Sequence, residues 1–484
     1  MKLIIKFFAE VTIKSPQVRK RFVSQLRKNL KVLLRAIDPE IRLTGTWDSL
    51  EVVVGDDTAV QTQVLERLKN TPGINHIHEV REYPLGTIEE LGQLCAELFA
   101  DQLAGRTFAV RCKRVGNHPF TSNEVARDVG AYLLTHTDVS GVSLKEPEVT
   151  VQVEIRQQRV FLIRARHEGI GGFPLGTMEP VLSLMSGGFD STVASYQMLQ
   201  RGILPHFVFF NLGGRAHELG VRQVAHYLWE KYAASHRLRF ISVPFEGVVA
   251  EILQNVDNSQ MGVVLKRMML RAASRIAQRR GFHALVTGEA IAQVSSQTLP
   301  NLAAIDQVCD MMVLRPLITT SKTEIIRTAR RIGTEAFSSS MPEYCGVISV
   351  SPDIHTNVRK VEAAEAGFDF SVLDEAIEQA TSTDCCDLEL EMDGSEVETV
   401  EQALTGQVVL DIRAPDEEEA RPLELEGVEV LKVPFYQLSS RFAELDAARA
   451  YLLYCEKGVM SQLHAQYLLD QGHDNVRVLR LPRR

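Results

Sequence analysis

The residues best suited to chemistry lie in a glycine-rich turn, Ser186–Ser191. The residues before it, Val181–Met185, have the pattern of a buried strand, and Val193–Gln200 after it have the pattern of a helix. Such a turn presents free backbone N–H groups and the positive end of a helix dipole, and both bind phosphate. The Gly-Lys-Ser/Thr ending of a Walker loop is absent. We therefore predict a different phosphate loop, the alternative being an ordinary strand–helix connection, and its residues would be Ser186, Gly187, Gly188, Asp190 and Ser191.

A second candidate for chemistry is Cys455, where the predicted strand Tyr451–Tyr454 meets a loop that opens the predicted helix Ser461–Gln471. Backbone N–H groups at a helix start stabilise a thiolate or a persulfide anion. The alternative is a buried cysteine at a strand end. The chain has seven cysteines and no Cys-x-x-Cys pair, which argues against a disulfide framework and a zinc site. Cys345 lies in a stretch flanked by proline and glycine, which predicts a loop.

Charge is distributed unevenly along the chain. Residues 1–42 hold 11 Lys/Arg and three acids, a net charge of +8, whereas residues 374–401 hold 11 acids and no Lys or Arg. The basic end suggests a nucleic-acid surface, with a solvated helix face as the alternative. The overall net charge of -9 does not by itself favour nucleic acid.

The elements that must position these residues form several α/β units. No apolar run reaches the roughly 20 residues of a membrane span, and the charged N-terminus does not resemble a signal peptide, so we expect a cytoplasmic protein. Short strands and helices alternate throughout. The predicted units are a small module with a basic helix at 16–37, a second module at 75–168, a glycine-rich hinge at 169–178, a doubly wound parallel sheet from 179, an acidic linker at 376–400 and a compact last unit at 401–484.

Two motifs carry a family resemblance. The Ser-Gly-Gly-x-Asp-Ser string resembles the PP-loop of ATP pyrophosphatases, and residues 401–484, with Val408–Arg413 and the Cys455 loop, look like a rhodanese domain. With the PP-loop motif followed by the rhodanese-like unit, the whole chain resembles the tRNA 4-thiouridine synthetase family in its long form, which has a fused rhodanese domain. The resemblance implies an α/β multidomain fold, with a ferredoxin-like domain at 1–60, an RNA-binding THUMP domain at 61–168, a PP-loop adenylation domain at 179–375 and a rhodanese domain at 401–484.

The family's activity implies roles for particular residues. ATP, with Mg²⁺, would adenylate oxygen 4 of uridine-8 in tRNA, with Asp190 orienting the phosphates or the magnesium. Lys322 would stabilise the leaving pyrophosphate, unless it is a surface lysine beside the Ser321–Glu324 capping box. We predict no metal site of the protein's own. The family's other ATP contacts correspond here to Leu184, Met185, Lys266, Gly288 and Gln297, and for Gln297 the alternative is an ordinary polar loop residue. The residues predicted to hold tRNA phosphates are Lys20, Arg27, Lys113 and Arg114.

The resemblance also implies partners for the sulfur. A cysteine desulfurase would load Cys455 as a persulfide, Cys345 would form a disulfide with Cys455 after transfer, and a thiol reductant would reset the pair. Met460 stands where many rhodanese enzymes carry a charged residue, which favours a protein persulfide over thiosulfate as donor. Family members also supply sulfur to a carrier protein of the thiamine thiazole pathway. The alternative function is a tRNA-binding sulfur relay that serves mainly that pathway and does not adenylate.

Overall fold

The computed structural model describes residues 1–45, 49–212, 214–339, 352–388, 397–404, 406–413, 418, 421–425, 427–433, 438, 441–442, 444–455, 459–470 and 472–481. These residues form two compact units. The first comprises residues 1–177 with 200–202, and the second comprises 178–199 with 203–484. Within the described ranges, every helix is too short or too polar to cross a membrane.

The first unit is built on one continuous sheet of eight strands in the order β2-β3-β1-β4-β8-β7-β5-β6. Its central strand β4 pairs with β1 on one side and with β8 on the other. The two predicted N-terminal modules therefore share one continuous sheet. The strands are β1 Lys2–Phe7, β2 Arg42–Gly45, β3 Leu50–Val53, β4 Ile74–Pro84, β5 Thr107–Val115, β6 Gly141–Val142, β7 Val149–Arg156 and β8 Arg159–Glu168. The helices are α1 Ala9–Thr12, α2 Pro16–Arg35, α3 Thr58–Lys69, α4 Ile88–Leu103 and α5 Ser122–His136.

The glycine-rich turn that we predict as a hinge is packed into this first unit. Gly171 and Gly172 adopt positive φ angles of 69° and 75°. The following Phe173 is 3% exposed and contacts the ring of Phe22 on α2. Asn29, also on α2, donates a hydrogen bond to the carbonyl of Leu175. The turn is therefore part of the core of this unit rather than an exposed connection.

The second unit contains a six-stranded sheet in the order β13-β12-β9-β10-β11-β14. From β9 the chain first builds β10 and β11 on one side and then β12 and β13 on the other, so the strand order reverses at β9. Ligands in such sheets bind at the carboxyl ends of the strands beside this reversal. The strands are β9 Val181–Leu184, β10 Pro205–Asn211, β11 Arg239–Pro244, β12 Ala284–Val286, β13 Met312–Leu314 and β14 Thr381–Asp384.

Helices alternate along the chain with the strands of this sheet, as the sequence pattern predicts. The longest, α9, ends at Gly281, whose φ of 70° caps it in the left-handed conformation. The helices are α6 Phe189–Gln200, α7 Gly214–Leu228 with a π-helical turn Trp229–Ala233, α8 Glu246–Asn255, α9 Met261–Arg280, α10 Leu299–Asp306 preceded by a 3₁₀ turn Ser295–Gln297, α11 Lys322–Ile332, α12 Glu335–Ser339, α13 Val358–Glu365 and α14 Ser371–Glu378.

The structure differs from the predicted acidic linker at 376–400. Strand β14 lies within that range and pairs antiparallel with β11, which places it at the edge of the sheet. Asp384 at its end is 7% exposed and makes ion pairs with Arg237 and Arg239. Residues 381–384 are therefore part of the sheet, because Arg239 of β11 and Arg237 of the preceding loop neutralise this aspartate. Residues 389–396 of the predicted linker lie outside the described residues.

The last part of the second unit is a parallel five-stranded sheet in the order β15-β19-β18-β16-β17. Its strands are β15 Thr399–Val400, β16 Val408–Asp411, β17 Glu429–Lys432, β18 Tyr451–Tyr454 and β19 Val476–Leu479, and helix α15 covers Val459–Asp470. Strand β16 lies beside β18, with Asp411 opposite Tyr454. The carboxyl ends of these strands, and hence Cys455, meet at one edge of the sheet.

Candidate active site

The glycine turn lies between β9 and α6, in the strand–turn–helix context that the sequence predicts. Gly187 adopts a φ of 79°, which favours glycine. The backbone N–H of Ser186 donates to the Ser191 hydroxyl over 3.1 Å, and that hydroxyl donates to the carbonyl of Gly188 over 3.3 Å. The turn is thus closed by its own side chains. Leu184 is half-buried and Met185 is 3% exposed where β9 ends.

Asp190, in the first turn of α6, is held by two residues from distant parts of the chain. The Lys322 ammonium lies 3.0 Å from both carboxylate oxygens, and Gln293 Nε2 donates to one of them over 2.7 Å. Lys322 begins α11, which Ser321 caps by accepting the N–H of Glu324. Because an ammonium has three donors, Lys322 can bind Asp190 and still donate to an anion. The structure therefore brings together two predicted residues, and Gln293 joins them without having been predicted.

A buried carboxylate, Glu289, organises the end of β12. It is 8% exposed, and its oxygens lie 2.8 Å from Lys266 Nζ and 2.9 Å from Arg315 Nε. Burial would raise the pKa of Glu289, but the charges and hydrogen bonds of Lys266 and Arg315 outweigh burial and hold the pKa at about 2. The predicted Lys266 is thus fixed by an anion that sequence reasoning missed. The sequence signal for Glu289 was its position directly after the predicted site residue Gly288.

Gly288 lies against the backbone of the phosphate loop. A Cβ at this position would lie 2.5 Å from the carbonyl carbon of Asp190 and 2.6 Å from the nitrogen of Ser191. Only glycine allows this close approach between the end of β12 and the first turn of α6. Gln297 is 8% exposed, and its side-chain oxygen accepts the N–H of Ala290 over 3.4 Å. The predicted Gln297 therefore stabilises the loop that follows β12 from within.

We expect Gly288→Ala to reduce ATP turnover by at least about ten-fold, because the added methyl group must displace backbone atoms of the phosphate loop. The measurement is pyrophosphate release from ATP by the purified variant. Gly262→Ala in α9 is a matched control, since a Cβ there meets nothing within 4 Å. The control should keep full activity and gain roughly 0.5–1 kcal/mol of helix stability. Equal activity of the two variants would contradict the assigned contact.

Two buried side chains hold successive carbonyl groups of the loop. His217 Nε2 lies 3.4 Å from the carbonyl oxygen of Ser186, and the Ser338 hydroxyl donates to the carbonyl of Gly187 over 3.1 Å. Burial lowers the pKa of His217, although the Ser186 carbonyl acts in the opposite direction. Sequence reasoning missed both residues, because neither lies near the loop in the chain.

Cys455 follows β18 and precedes α15, as predicted. Its side chain is 7% exposed, and the Sγ atom accepts the backbone N–H of Ser461, in the first turn of α15, over 3.3 Å. The Ser461 hydroxyl lies 3.4 Å from the same sulfur. A sulfur atom in contact with the N–H groups of a helix start is favoured in its anionic form.

A buried ion pair supports the strand ends beside Cys455. Arg413 binds Asp411 through two hydrogen bonds of 2.9 and 2.6 Å, and both side chains are at most 5% exposed. The Arg413 guanidinium also lies 5.3 Å from the ring centre of Tyr454, the residue before the cysteine. Arg413 therefore ties the end of β16 to the end of β18.

The remaining cysteines differ in their surroundings. Cys345 lies outside the described residues. Cys385 is fully buried, and burial raises the pKa of its thiol well above the usual value. Burial also raises the pKa of Cys386, with the neighbouring Asp387 acting in the same direction. Neither thiol is therefore suited to act as a thiolate at neutral pH.

A cleft of about 610 Å³ in the first unit has five basic and two acidic side chains among its fourteen lining residues. The predicted Lys113 lines it, but Lys20, Arg27 and Arg114 are not among its lining residues. The other basic residues of the cleft are Lys6, Arg19, Arg156 and Arg159. Glu154 lies among them. Burial would raise its pKa, but Lys6 and then Arg156 hold it at about 2, so the carboxylate stays ionised and orders these cations.

If this cleft binds nucleic-acid phosphates, Lys113→Ala should weaken tRNA binding about five-fold at physiological salt. The slope of log K against log salt should decrease by about one, because one fewer counterion is released. Fluorescence anisotropy with labelled tRNA over a salt series measures both effects. Lys145→Ala is the control, since this exposed lysine of the same unit does not line the cleft. An unchanged slope for the Lys113 variant would remove the cleft from the RNA interface.

Comparison with known families covers most of the chain. The family described as "Thiamine biosynthesis protein (ThiI)" matches residues 176–370, and the ThiI ferredoxin-like domain matches residues 2–77. The THUMP domain matches residues 86–163, and the rhodanese-like domain matches residues 396–481. These four matches define a chain that combines ferredoxin-like, THUMP, PP-loop-type and rhodanese domains in the predicted order.

Individual relatives match over the whole length. The chain is 60% identical to the tRNA sulfurtransferase of Pseudomonas aeruginosa strain UCBPP-PA14, over 99% of this chain and 100% of that protein. It is 58% identical to the tRNA sulfurtransferase of Azotobacter vinelandii over the same shares. A solved structure, "Crystal structure of a 4-thiouridine synthetase - RNA complex with bound ATP", is 26% identical, has a TM-score of 0.69 and covers 79% of this chain and 99% of its own.

The chain therefore belongs to the tRNA sulfurtransferase family, and it is an enzyme of the sulfurtransferase class. The fold class and the family that the sequence predicts are confirmed.

Proposed function

We propose that this enzyme thiolates uridine-8 of tRNA in two stages, adenylation of the base by ATP followed by transfer of a persulfide sulfur from Cys455. The observation that carries the first stage is the contact of Lys322 with Asp190 in the first turn of α6, beside the glycine turn. Support for the substrates comes from the relatives, which are named tRNA sulfurtransferases, and from the ATP and RNA in the 4-thiouridine synthetase structure.

In the first stage the phosphate loop binds ATP. The N–H groups of the glycine turn and the start of α6 hold the phosphates, while Lys322, held by Asp190, donates to the pyrophosphate as it leaves. Oxygen 4 of the uracil attacks the α-phosphate, so the base becomes linked to AMP. Because Lys322 and Gln293 already engage the carboxylate, Asp190 fits a role in orienting Lys322 better than a role as a metal ligand. Mg²⁺ bound to the phosphates would neutralise part of their charge.

In the second stage the outer sulfur of the Cys455 persulfide attacks carbon 4 of the base. A carbon–sulfur bond forms, the carbon–oxygen bond breaks, and AMP leaves. The thiolate of Cys345 then attacks Cys455 Sγ, which releases the thiolated base and leaves a disulfide between the two cysteines. A thiol reductant returns both cysteines to thiols. The contacts of Cys455 with Ser461 support this role, because they stabilise a sulfur anion.

The direct test of the first stage is pyrophosphate release from ATP by the purified enzyme, with and without tRNA. We expect release that depends on tRNA and is absent with tRNA carrying cytidine at position 8. A tRNA-binding sulfur relay, the alternative function, would thiolate no base and release no pyrophosphate. That result would remove adenylation from the account.

We expect Cys345→Ala to limit the enzyme to one turnover per persulfide. The variant would lack the thiolate that releases the base from Cys455, although an external thiol could take its place in a single round. The measurement is 4-thiouridine formed per enzyme in single-turnover and multiple-turnover reactions. Unchanged multiple turnover would rule out the disulfide step, whereas Cys309→Ala should behave as the unaltered enzyme.

A second role in thiamine thiazole synthesis is supported by the description of the matching family as a thiamine biosynthesis protein. In this role a cysteine desulfurase loads Cys455, and the sulfur passes to the C-terminus of a sulfur-carrier protein. Strains carrying Lys322→Met with Cys455 intact separate the two roles. Thiazole synthesis without 4-thiouridine would support a role of Cys455 that is independent of the phosphate loop, and loss of both products would contradict it.

A further inference from the structure

Helix α12 (Glu335–Ser339) contacts two parts of the second unit that the proposed reaction uses in succession. Ser338, which is 4% exposed, donates its hydroxyl to the carbonyl of Gly187 in the phosphate loop over 3.1 Å. Ala336 and Phe337 pack against the hydrophobic core of the rhodanese domain, and Cys455 is a member of that core. One short helix therefore touches both the loop and the core that contains the sulfur-carrying cysteine.

The contact with the loop fixes a peptide group that faces the nucleotide site. The carbonyl of Gly187 and the N–H of Gly188 belong to one planar trans peptide unit and point in opposite directions. Because Ser338 holds the carbonyl on the side of α12, the N–H of Gly188 points away from that helix. The position of α12 thus sets the direction of one amide donor of the phosphate loop.

Further contacts fix α12 within its own domain. The ring of Phe337 lies 5.2 Å from the ring of Tyr227 on α7. The Tyr227 hydroxyl and the Lys231 ammonium both donate to the carbonyl of Ile332, at the end of α11, over 3.0 Å. The helix is therefore a firm platform of the PP-loop domain, and Phe337 reaches from it to the rhodanese core.

We propose that α12 is the docking element for the rhodanese domain of the same chain, and that Phe337 is a positioning residue for sulfur transfer. Consecutive Cα atoms are about 3.8 Å apart, so Phe337 and Ser338 place the rhodanese core and the phosphate loop on adjacent sides of the same helix. Docking replaces a freely tethered sulfur donor by one held beside the loop, which raises its effective concentration. The proposal rests on the two-stage reaction given above.

The test compares full-length Phe337→Ala and Phe337→Leu with Phe370→Ala, a control at an exposed aromatic residue beside α14. We measure tRNA-dependent pyrophosphate release, loading of Cys455 with persulfide, and the single-turnover rate of 4-thiouridine formation. For Phe337→Ala, pyrophosphate release and persulfide loading should stay within about two-fold of the unaltered enzyme. The single-turnover rate of 4-thiouridine formation should fall at least about ten-fold, the usual scale for an anchoring aromatic residue. Phe337→Leu should recover most of the rate, and the control should lose none.

Two results would overturn the proposal. One is normal sulfur transfer by Phe337→Ala, and the other is an equal loss of pyrophosphate release and transfer, which would assign Phe337 to loop stability alone. Absence of pyrophosphate release by the unaltered enzyme would instead refute the adenylation stage. If Phe337→Ala does not fold, a photoreactive benzoylphenylalanine at position 337 of the full chain replaces it. Cross-links should then form with residues of the rhodanese domain, 401–484, whose core Phe337 contacts. Cross-links confined to residues 178–388 would contradict docking.

Discussion

Cys455→Ala should abolish 4-thiouridine formation, with a loss of at least about 1,000-fold, the scale expected when a covalent nucleophile is removed. The alanine cannot carry a persulfide. The neighbouring side chains of Ser461 and Tyr454 carry only hydroxyl groups, which cannot replace the sulfur. Pyrophosphate release should persist, because the phosphate loop belongs to a different sheet. The measurements are 4-thiouridine by mass spectrometry of tRNA and pyrophosphate from the same reactions.

Cys386→Ala is the matched control for this variant. Cys386 lies in the same unit and is more accessible than Cys455, but burial and Asp387 raise the pKa of its thiol. Its removal should leave both products unchanged. Persistence of 4-thiouridine in the Cys455 variant, or its loss in the control, would contradict the assignment of Cys455 as the sulfur carrier.

Lys322→Met should reduce tRNA-dependent pyrophosphate release by about 100- to 1,000-fold, the scale for removing one group that stabilises transition-state charge. The methionine keeps much of the side-chain volume but removes the ion pair with Asp190, and the hydrogen bond from Gln293 to that carboxylate stays. Without the lysine cation beside it, the Asp190 carboxylate would then repel the phosphates. Steady-state kinetics should show the loss mainly in kcat, because the charge on the leaving pyrophosphate develops during the reaction.

Lys360→Met is a control of the same chemistry. Lys360 pairs with Asp353 in the same domain at 3.2 Å, and its side chain is 58% exposed. An exposed pair of this kind contributes little to stability, so this variant should keep normal pyrophosphate release. If the two variants lose activity equally, Lys322 has no special role in adenylation.

The sequence predicted the parts of the site that depend on local structure. A strand, a turn and a helix are consecutive in the chain at both places, so the local setting of the glycine turn and that of Cys455 could be predicted from their immediate neighbours. The contacts of Asp190 with Lys322 and Gln293 could not be predicted in this way, because these residues lie 132 and 103 positions away in the chain. Their meeting depends on the parallel sheet, which brings the carboxyl ends of separate strands to one edge.

The errors in the fold have physical causes as well. Strand β4, which the sequence did not indicate, contains an extra residue opposite β1, where Lys6 lies opposite His76 and Phe7 opposite Ile74. This extra residue interrupts the alternation of buried and exposed residues. The acidic residues around strand β14 predict a linker, whereas in the structure arginines from β11 and the preceding loop neutralise Asp384. In both cases the strand is stabilised by pairing with neighbouring strands, and the local sequence pattern does not show this pairing.

The central claim is that ATP activates oxygen 4 of the base. It is tested by thiolating a tRNA whose uridine-8 carries ¹⁸O at position 4 and analysing the products by mass spectrometry. The account predicts that the label leaves with AMP, because the bond between carbon 4 and oxygen breaks after that oxygen has joined the α-phosphate. Label found in water or in inorganic phosphate, with unlabelled AMP, would contradict adenylation of the base.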